Sequence, residues 1–304
     1  MSVPDQGSRS GPQRLDPLAV RRLLRDEGLR ARHSLSQNFL ADPDVLEAIL
    51  DEAQASPGDR VLEIGPGLGI LTGALLDAGA AVTAVELDWR LAALVRKRLS
   101  GAVDRASADP TAPGSLTLIE GDALDQDLPN IVPPPFGVVA NLPYHITSPI
   151  LHRLLEAAPR PSRMVLMVQW EVAERIAAPP GRMSYLSVFV QYHATVRIAR
   201  RVPGDAFEPA PSVASAIIVL EPRSGDAARV PPSSGEDHLW ALVQAGFRER
   251  RKMIRNVLSR QLRIGQASID AALEAVGIAG DRRPQTLTVE EWIALRAAID
   301  GSDA

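Results

Sequence analysis

Short hydrophobic segments alternate with helical stretches through the middle of the chain. Five apolar runs predict buried strands: 60–65, 81–88, 116–122, 136–141 and 163–169. Most are followed by about 8–12 residues with helical spacing, which is typical of a parallel sheet with right-handed crossovers. The third strand is preceded by a polar insert, 100–115. Two more apolar runs, 187–199 and 215–222, have no helix between them and predict an antiparallel hairpin at one edge.

The pattern predicts an α/β fold, a Rossmann-like sheet with a small all-helical domain after it. Polar segments rich in Gly, Pro and Ser mark a tail and a linker. We expect a disordered tail at 1–16, a sheet domain at 17–222, a linker at 223–236 and a helical domain at 237–304. Helical spacing in the last part covers 238–262, 266–275 and 289–300.

Composition excludes several classes of function. The 304 residues include no cysteine, which excludes disulfides, thiol nucleophiles and Cys-ligated zinc. The five histidines have no metal-ligand spacing, so no metal site is expected. No apolar run approaches the ~20 residues of a membrane span. We expect a cytoplasmic, monomeric protein, and its net charge of -4 still permits a local basic face.

A glycine-rich loop follows the first predicted strand. Gly65, Gly67 and Gly69 allow a sharp turn and a close approach of a ligand to the backbone. A tight strand–helix turn is the plainer interpretation of this loop alone. Glu86 ends the next strand, where a carboxylate can bind both ribose hydroxyls. Asp122 follows the third strand and can accept from an adenine amine or cap a helix.

Three such features at successive strand ends indicate a nucleoside cofactor. A dinucleotide site favours G-x-G-x-x-G, with a helix N-terminus facing the pyrophosphate. Here the spacing is E-x-G-x-G-x-G, with Glu63 before the loop, which suits a ligand without phosphates. A carboxylate near the loop can also attract the amino group of a methionine moiety. We therefore favour S-adenosyl-L-methionine (SAM) over NAD.

The fourth strand ends in Asn-Leu-Pro-Tyr, an unusual set of residues for a simple turn. Asn141 and a carbonyl of Leu142 or Pro143 can accept the two hydrogens of an adenine amine. Tyr144 can stack on an extracted base, and Phe207 can supply the second face. Ordinary packing beside the sheet is the alternative for both rings.

Seven motifs occur together and in an order that carries a family resemblance. They are LSQNFL (35–40), VLEIGPGLGILT (61–72), VELD (85–88), EGDAL (120–124), NLPYHI (141–146), FEPAPSV (207–213) and FRERRKMIRNVL (247–258). The chain resembles the small-subunit ribosomal RNA adenine dimethyltransferases. The resemblance implies SAM-dependent formation of N6,N6-dimethyladenosine at two adjacent adenosines near the 3′ end of 16S rRNA, within the small ribosomal subunit.

The resemblance also implies roles for individual residues. It assigns the cofactor to Asn38, Leu40, Gly65, Glu86, Asp122 and Asn141. Asn38 and Leu40 would close over the methionine end. The chain departs from the family pattern at Ser36, Trp170, Met183, Ser184, Ser212 and Ala214. Trp170 and Ser212 stand where the family usually carries lysine, so two positive charges are missing near the expected RNA face.

A basic run near the C-terminus predicts a phosphate-binding helix. Its candidate RNA contacts are Arg248, Arg250, Arg251, Lys252 and Arg255. A solvated helix face is the plainer interpretation, and an rRNA substrate favours phosphate contact. Three alternatives stay open: a large-subunit rRNA adenine methyltransferase of the resistance type, an assembly factor whose binding role outweighs methylation, and a nucleotide-dependent oxidoreductase.

Overall fold

The fold is known from a computed structural model that describes residues 15–32, 35, 37–223 and 236–302, without the side chains of 300–302. Nearly all of the predicted tail and linker therefore lies outside the described residues, as does Ser36. The strands are β1 (Phe39–Leu40), β2 (Arg60–Ile64), β3 (Ala81–Glu86), β4 (Leu116–Glu120), β5 (Gly137–Asn141), β6 (Arg163–Gln169), β7 (Ala194–Val202), β8 (Phe207–Glu208) and β9 (Ser215–Pro222).

Helices flank these strands and form the C-terminal part. They are α1 (Pro17–Asp26), α2 (Pro43–Ala53), α3 (Ile70–Asp77), α4 (Trp89–Arg98), α5 (Ser100–Ala108), α6 (Thr147–Glu156), α7 (Trp170–Ile176), α8 (Tyr185–His193), α9 (Glu236–Phe247), α10 (Ile254–Leu262), α11 (Gln266–Ala275) and α12 (Val289–Ser302). Several begin at a capping side chain. At the start of α2, for example, the Asp42 carboxylate accepts from the backbone N–H groups of Asp44 and Val45.

Seven strands form the main sheet in the order β4-β3-β2-β5-β6-β9-β7. The first five are parallel, and β9 and β7 add antiparallel strands at one edge, as the sequence predicts. Apolar side chains fill both faces of the sheet, because α6, α7 and α8 cover one face and α2 and α3 the other. The parallel strands direct their carboxyl ends to one common edge.

Two segments within the predicted sheet domain differ from the sequence prediction. Residues 187–193 belong to helix α8, although their β-branched and aromatic side chains resemble a strand. The Ser184 hydroxyl accepts from the backbone N–H of Ser187 and starts this helix, so capping outweighs strand propensity. The insert at 100–115 contains helix α5, which buries Ala102 and leaves most of its other side chains partly or fully exposed.

A second, two-stranded sheet joins distant parts of the chain. Strand β1 pairs with β8 in antiparallel register, with Phe39 opposite Glu208 and Leu40 opposite Phe207. The backbone N–H of Ala41 also donates to the carbonyl of Ala206. This pairing brings the LSQNFL motif beside the FEPAPSV motif, which precedes β9.

The C-terminal helices share a hydrophobic cluster with the sheet domain. Trp292 and Leu239 pack in the same cluster as Met183, Val188 and Tyr192 from around α8. The Tyr192 hydroxyl donates to a carboxylate oxygen of Glu236 at 2.9 Å. The boundary between the two predicted domains is therefore crossed by packed side chains.

The basic run is not one continuous helix, which corrects the sequence prediction. Helix α9 ends at Phe247 and α10 begins at Ile254, so Arg248, Arg250, Arg251 and Lys252 occupy the turn between them. None of the six residues 248–253 is buried, and the hydrophobic side chains that pack in the core are those on either side, Phe247 and Ile254. The run therefore has no apolar face to hold it as a helix. Arg255 lies in the first turn of α10.

Candidate active site

A cavity opens at the carboxyl ends of β2, β3 and β5, where the order of the strands reverses. From β2 the chain first builds the sheet in one direction, through β3 to β4. It then returns to the other side of β2 and builds in the opposite direction, through β5 to β6. Nine of the ten predicted cofactor and catalytic residues line this cavity: Asn38, Leu40, Gly65, Glu86, Asp122, Asn141, Leu142, Pro143 and Tyr144. Such switch points are where open α/β sheets bind ligands.

The glycine loop forms one wall of the cavity. Gly65, Gly67 and Gly69 have φ angles of +73°, +57° and +75°, which L-residues adopt only with strain. A Cβ atom at Gly67 would also lie 3.2 Å from Cδ1 of Phe39. These positions require glycine for backbone conformation, and the second also for space.

Glu86 connects this loop to the end of β3. One carboxylate oxygen accepts from the backbone N–H of Gly67 at 3.0 Å, and the other accepts from Asp88 N–H at 2.9 Å. Burial raises the pKa of Glu86, and these two backbone donors offset part of that effect. Each oxygen keeps a second lone pair that can accept from a ligand hydroxyl.

Glu63 lies at the base of the cavity on β2. Its side chain is 1% exposed, and Oε2 has no hydrogen-bond partner in the described part of the protein. Burial raises the pKa of Glu63 to about 8; the nearby Thr72 hydroxyl lowers it somewhat, and the charge of Glu86 adds to the rise. The cavity therefore contains one buried carboxyl group that holds its proton near neutral pH.

Asp122 follows β4 on the opposite wall. Its Oδ1 atom accepts from the backbone N–H of Leu124 at 2.8 Å, so it caps a turn as well as lining the cavity. Both roles considered from the sequence are compatible with this position, because the carboxylate has a second oxygen.

Asn141 is held in a single orientation at the end of β5. Its side-chain Nδ2 donates to the backbone carbonyl of Asn38 at 3.1 Å. A carbonyl can only accept, so this bond fixes which end of the amide is nitrogen. Among the described residues no donor is paired with Oδ1 of Asn141. Asn141 thus presents an oriented acceptor while tying the LSQNFL segment to β5.

Tyr144 lies one turn further along, and Ser215 fixes its hydroxyl. The two side-chain oxygens are 2.9 Å apart, and Ser215 is the first residue of β9. Burial raises the pKa of Tyr144, with the Ser215 hydrogen bond acting in the opposite direction. Sequence reasoning missed Ser215, since a serine at the start of an apolar strand gives no distinct signal.

Phe207 is not brought to the cavity, contrary to the sequence prediction of a second stacking face. Its side chain is 2% exposed and packs in the core with Val202 and Ala206, opposite Leu40 of β1. The short β1–β8 pairing draws this ring inward. Phe39 and Tyr144 both line the cavity, but Phe39 is buried and Tyr144 is half-buried, so Tyr144 is the ring more accessible to a base.

Gln37 and Asp88 add a contact that sequence reasoning missed. The Gln37 amide donates to Asp88 at 3.2 Å and accepts from the backbone N–H of Arg32 at 2.8 Å. Hydrogen bonds from Arg90 above all lower the pKa of Asp88 to about 2. Since Gln37 lines the cavity, this contact ties the segment before Asn38 to the loop after Glu86. The only sequence signal is the position of Gln37 beside Asn38.

Two further expectations concern absences. Within residues 15–32, 35, 37–223 and 236–302, no group of three or more His, Cys, Asp or Glu side chains is arranged to hold a metal ion. Over the same described ranges, no helix has the length and apolar character that crossing a membrane requires.

The sheet order and the cavity at its switch point define the class: a doubly wound α/β domain of the kind that binds nucleoside cofactors. The chain belongs to the family described as Ribosomal RNA adenine dimethylase, whose sequence model matches residues 28–298. The family resemblance and the Rossmann-like fold inferred from the sequence are thereby confirmed.

Individual relatives agree with this family. A Ribosomal RNA small subunit methyltransferase A from Sphingopyxis alaskensis is 42% identical over 290 residues, covering 92% of this chain and 98% of the relative. The protein of that name from Anaeromyxobacter sp. (strain K) is 40% identical over 292 residues, covering 92% and 97%.

Two solved structures share the fold. A dimethyladenosine transferase from Plasmodium falciparum aligns with a TM-score of 0.71 and 26% identity, over 87% of this chain and 98% of that one. The 23S rRNA methyltransferase ErmE aligns with a TM-score of 0.67 and 30% identity, over 86% and 100%.

Proposed function

We propose that the protein transfers methyl groups from SAM to the N6 amines of two adjacent adenosines near the 3′ end of 16S rRNA. The products are N6,N6-dimethyladenosines in the small ribosomal subunit during its assembly. Family membership supports the reaction class, and the names of the most similar relatives support the small subunit as substrate. We further propose that the protein acts as a cytoplasmic monomer.

The cavity has the donors and acceptors that SAM requires. Glu86 has carboxylate lone pairs for the ribose hydroxyls, and Asp122 has a free oxygen for the adenine amine. The orphaned Oε2 atom of Glu63 suits the amino group of the methionine moiety, which would supply the missing donor. Asn38 and Leu40 would cover that end. When bound, SAM supplies a methyl group on a cationic sulfonium, which needs no further activation.

Asn141 is the residue that would orient the target amine. The lone pair of an adenine amine is delocalised into the ring, so orientation must make the nitrogen available. The fixed Oδ1 of Asn141 would accept one amine hydrogen. The Pro143 carbonyl already accepts from Ile146 N–H at 3.2 Å, so we assign the second hydrogen to the Leu142 carbonyl. Neither acceptor is a base, and the proton released on methyl transfer goes to solvent.

Two features would hold the rest of the nucleotide. Tyr144, fixed through Ser215, would stack on the base with a contribution of about 1–3 kcal/mol. The exposed basic turn between α9 and α10 would contact phosphates. Within that turn Arg248 binds Gln261 and Arg250 binds the Met183 carbonyl, whereas Arg251 and Lys252 extend into solvent.

The test is Asn141→Ala, measured separately for binding and for transfer. We expect SAM affinity by calorimetry to weaken only modestly, because the amide contributes little to the cofactor cradle. Methyl transfer to small-subunit rRNA, followed by mass spectrometry for paired dimethyladenines, should be abolished. The matched control is Asn130→Ala, an exposed asparagine outside the cavity. Near-normal turnover by Asn141→Ala would refute the mechanism.

The other candidate functions have distinct outcomes. A large-subunit enzyme would transfer methyl groups to separated large subunits, and the higher identity of the small-subunit relatives disfavours this substrate. If the protein is mainly an assembly factor, the Asn141→Ala variant would still bind small subunits and restore their assembly in cells. An oxidoreductase would bind NAD instead of SAM in calorimetry.

A further inference from the structure

We infer that Trp170 and Arg201 form a phosphate-binding pair at the rim of the active site, and that this pair contacts the rRNA backbone beside the target adenosine. The inference rests on the proposed function and adds a substrate contact to it. Trp170 begins α7 directly after β6, and Arg201 lies near the end of β7. The two side chains meet over the start of β9, with the Arg201 guanidinium carbon 4.7 Å from the centre of the Trp170 ring.

The position of this pair is fixed relative to Tyr144. Ser215, which holds the Tyr144 hydroxyl, pairs with Gln169 of β6, the residue before Trp170. On the other side, Arg201 pairs with Ala216, the residue after Ser215. The backbone N–H of Trp170 donates to the carbonyl of Ala214 at 2.9 Å. Neighbouring strands lie about 4.8 Å apart, so the pair sits within a few strand widths of the base-stacking ring.

The charge of Arg201 is available to a ligand. No carboxylate in the described part of the chain pairs with Arg201, and the residue is exposed. Its neighbours on β7 are engaged: Arg197 pairs with Glu52, and Arg200 donates to the Asp44 carbonyl at 2.9 Å. A guanidinium already held over an indole ring loses less conformational entropy when it binds a phosphate.

The chemistry of the substrate explains why a cation belongs here. When one base of a strand enters the cavity, the phosphates on either side of that nucleotide remain at the rim. Phosphate contacts position the strand without reading its sequence. Trp170 replaces the lysine of the family pattern, so the cation at this edge comes from Arg201, which the indole holds in place.

The salt dependence of RNA binding gives the sharpest test. We expect Arg201→Ala to raise the KM for small-subunit rRNA about 5- to 10-fold and to lower the slope of log Kd against log salt by about 0.7–1, the value for one phosphate contact. The turnover number and the affinity for SAM should not change. A purely structural role would not alter the salt slope.

Three further variants complete the experiment. Trp170→Ala should raise the KM less, about 2- to 3-fold, because the free cation remains nearby. Adding Trp170→Lys to Arg201→Ala should restore the slope, since it returns a charge to the rim. Arg197→Ala is the matched control, an arginine on the same strand that is paired with Glu52, and it should behave as the wild type.

The outcomes separate this inference from the proposed function. If the wild-type protein transfers no methyl groups to small-subunit rRNA, the proposed function fails and this inference fails with it. If the wild type is active and Arg201→Ala keeps both the wild-type slope and KM, this inference alone is overturned. A fall in slope for Arg197→Ala equal to that for Arg201→Ala would also overturn it.

Discussion

Replacing Glu63 with glutamine should remove a loss of stability that the wild-type protein undergoes as pH rises. Glu63 is 1% exposed at the base of the cavity, and one of its oxygens has no partner in the described structure. Burial, with a smaller contribution from Glu86, raises its pKa to about 8. Glutamine has nearly the same size and cannot ionise, so Glu63→Gln changes charge without opening a cavity.

The sign follows from proton linkage. Above its ordinary pKa of 4.5 the carboxyl group loses its proton in the unfolded chain, while the folded protein keeps it up to about pH 8. The free energy of unfolding therefore falls as pH rises through this window and levels off above it. A rise from 4.5 to about 8 corresponds to about 5 kcal/mol as an upper limit. We expect a measurable part of this, about 2–4 kcal/mol, because buried sites relax on ionisation.

The assay is urea denaturation of the cofactor-free protein at intervals between about pH 5 and pH 9. The free energy of unfolding of Glu63→Gln minus that of the wild type should grow from about pH 5 to about pH 8 and stay constant above that. Glu47→Gln, on the exposed face of α2, is the control and should follow the wild-type curve. If the free energies of unfolding of the wild type and Glu63→Gln change in parallel from the lowest to the highest pH, the buried carboxyl group does not hold its proton and the reasoning is wrong.

Three other substitutions test the walls of the site and the C-terminal packing. Gly67→Ala, at φ +57°, should lower the free energy of unfolding by about 1–2 kcal/mol through backbone strain, and it should weaken SAM binding about 10-fold by calorimetry. The control is Gly58→Ala, at φ +89° with nothing within 4 Å, which should lower stability and leave SAM binding unchanged. Gln37→Ala should raise the Kd for SAM about 5-fold at unchanged turnover, since one cavity-side hydrogen bond is lost; an unchanged Kd would contradict this. Gly246→Ala would place a Cβ 2.5 Å from Trp292 Cη2, so urea denaturation should show a loss of about 1–3 kcal/mol.

The sequence predicted the cavity well because its parts lie at strand ends. Gly65, Glu86, Asp122 and Asn141 each follow an apolar run, and parallel strands bring their carboxyl ends to one edge. Local pattern plus one topological rule therefore brings these residues together. Their roles toward SAM and adenine stay predictions until the variants are measured.

Features that depend on tertiary context could not be predicted from local pattern. Phe207 lies inside the core because β8 pairs with β1, a contact in which Leu40 and Phe207 are 167 positions apart along the chain. The pattern of residues 187–193 predicts a strand although they form part of helix α8, because buried side chains on nearly all sides of this helix hide the helical period. The pattern predicts a helix at the basic turn, 248–253, because arginine has good helix propensity and the run contains no Gly or Pro.

The position of Glu86 changes how its substitution must be interpreted. The carboxylate that would bind the ribose also accepts from Gly67 N–H and Asp88 N–H, so it organises the glycine loop before any ligand arrives. Glu86→Ala would remove both roles together, and the resulting rise in the Kd for SAM would exceed the value of the ribose contact. Glu86→Gln keeps one acceptor oxygen and offers an N–H in place of the other. A small effect of Gln beside a large effect of Ala would indicate that one acceptor oxygen is enough, whereas equal effects would indicate that both oxygens must accept, because the Gln N–H would face a backbone N–H donor in place of one of them.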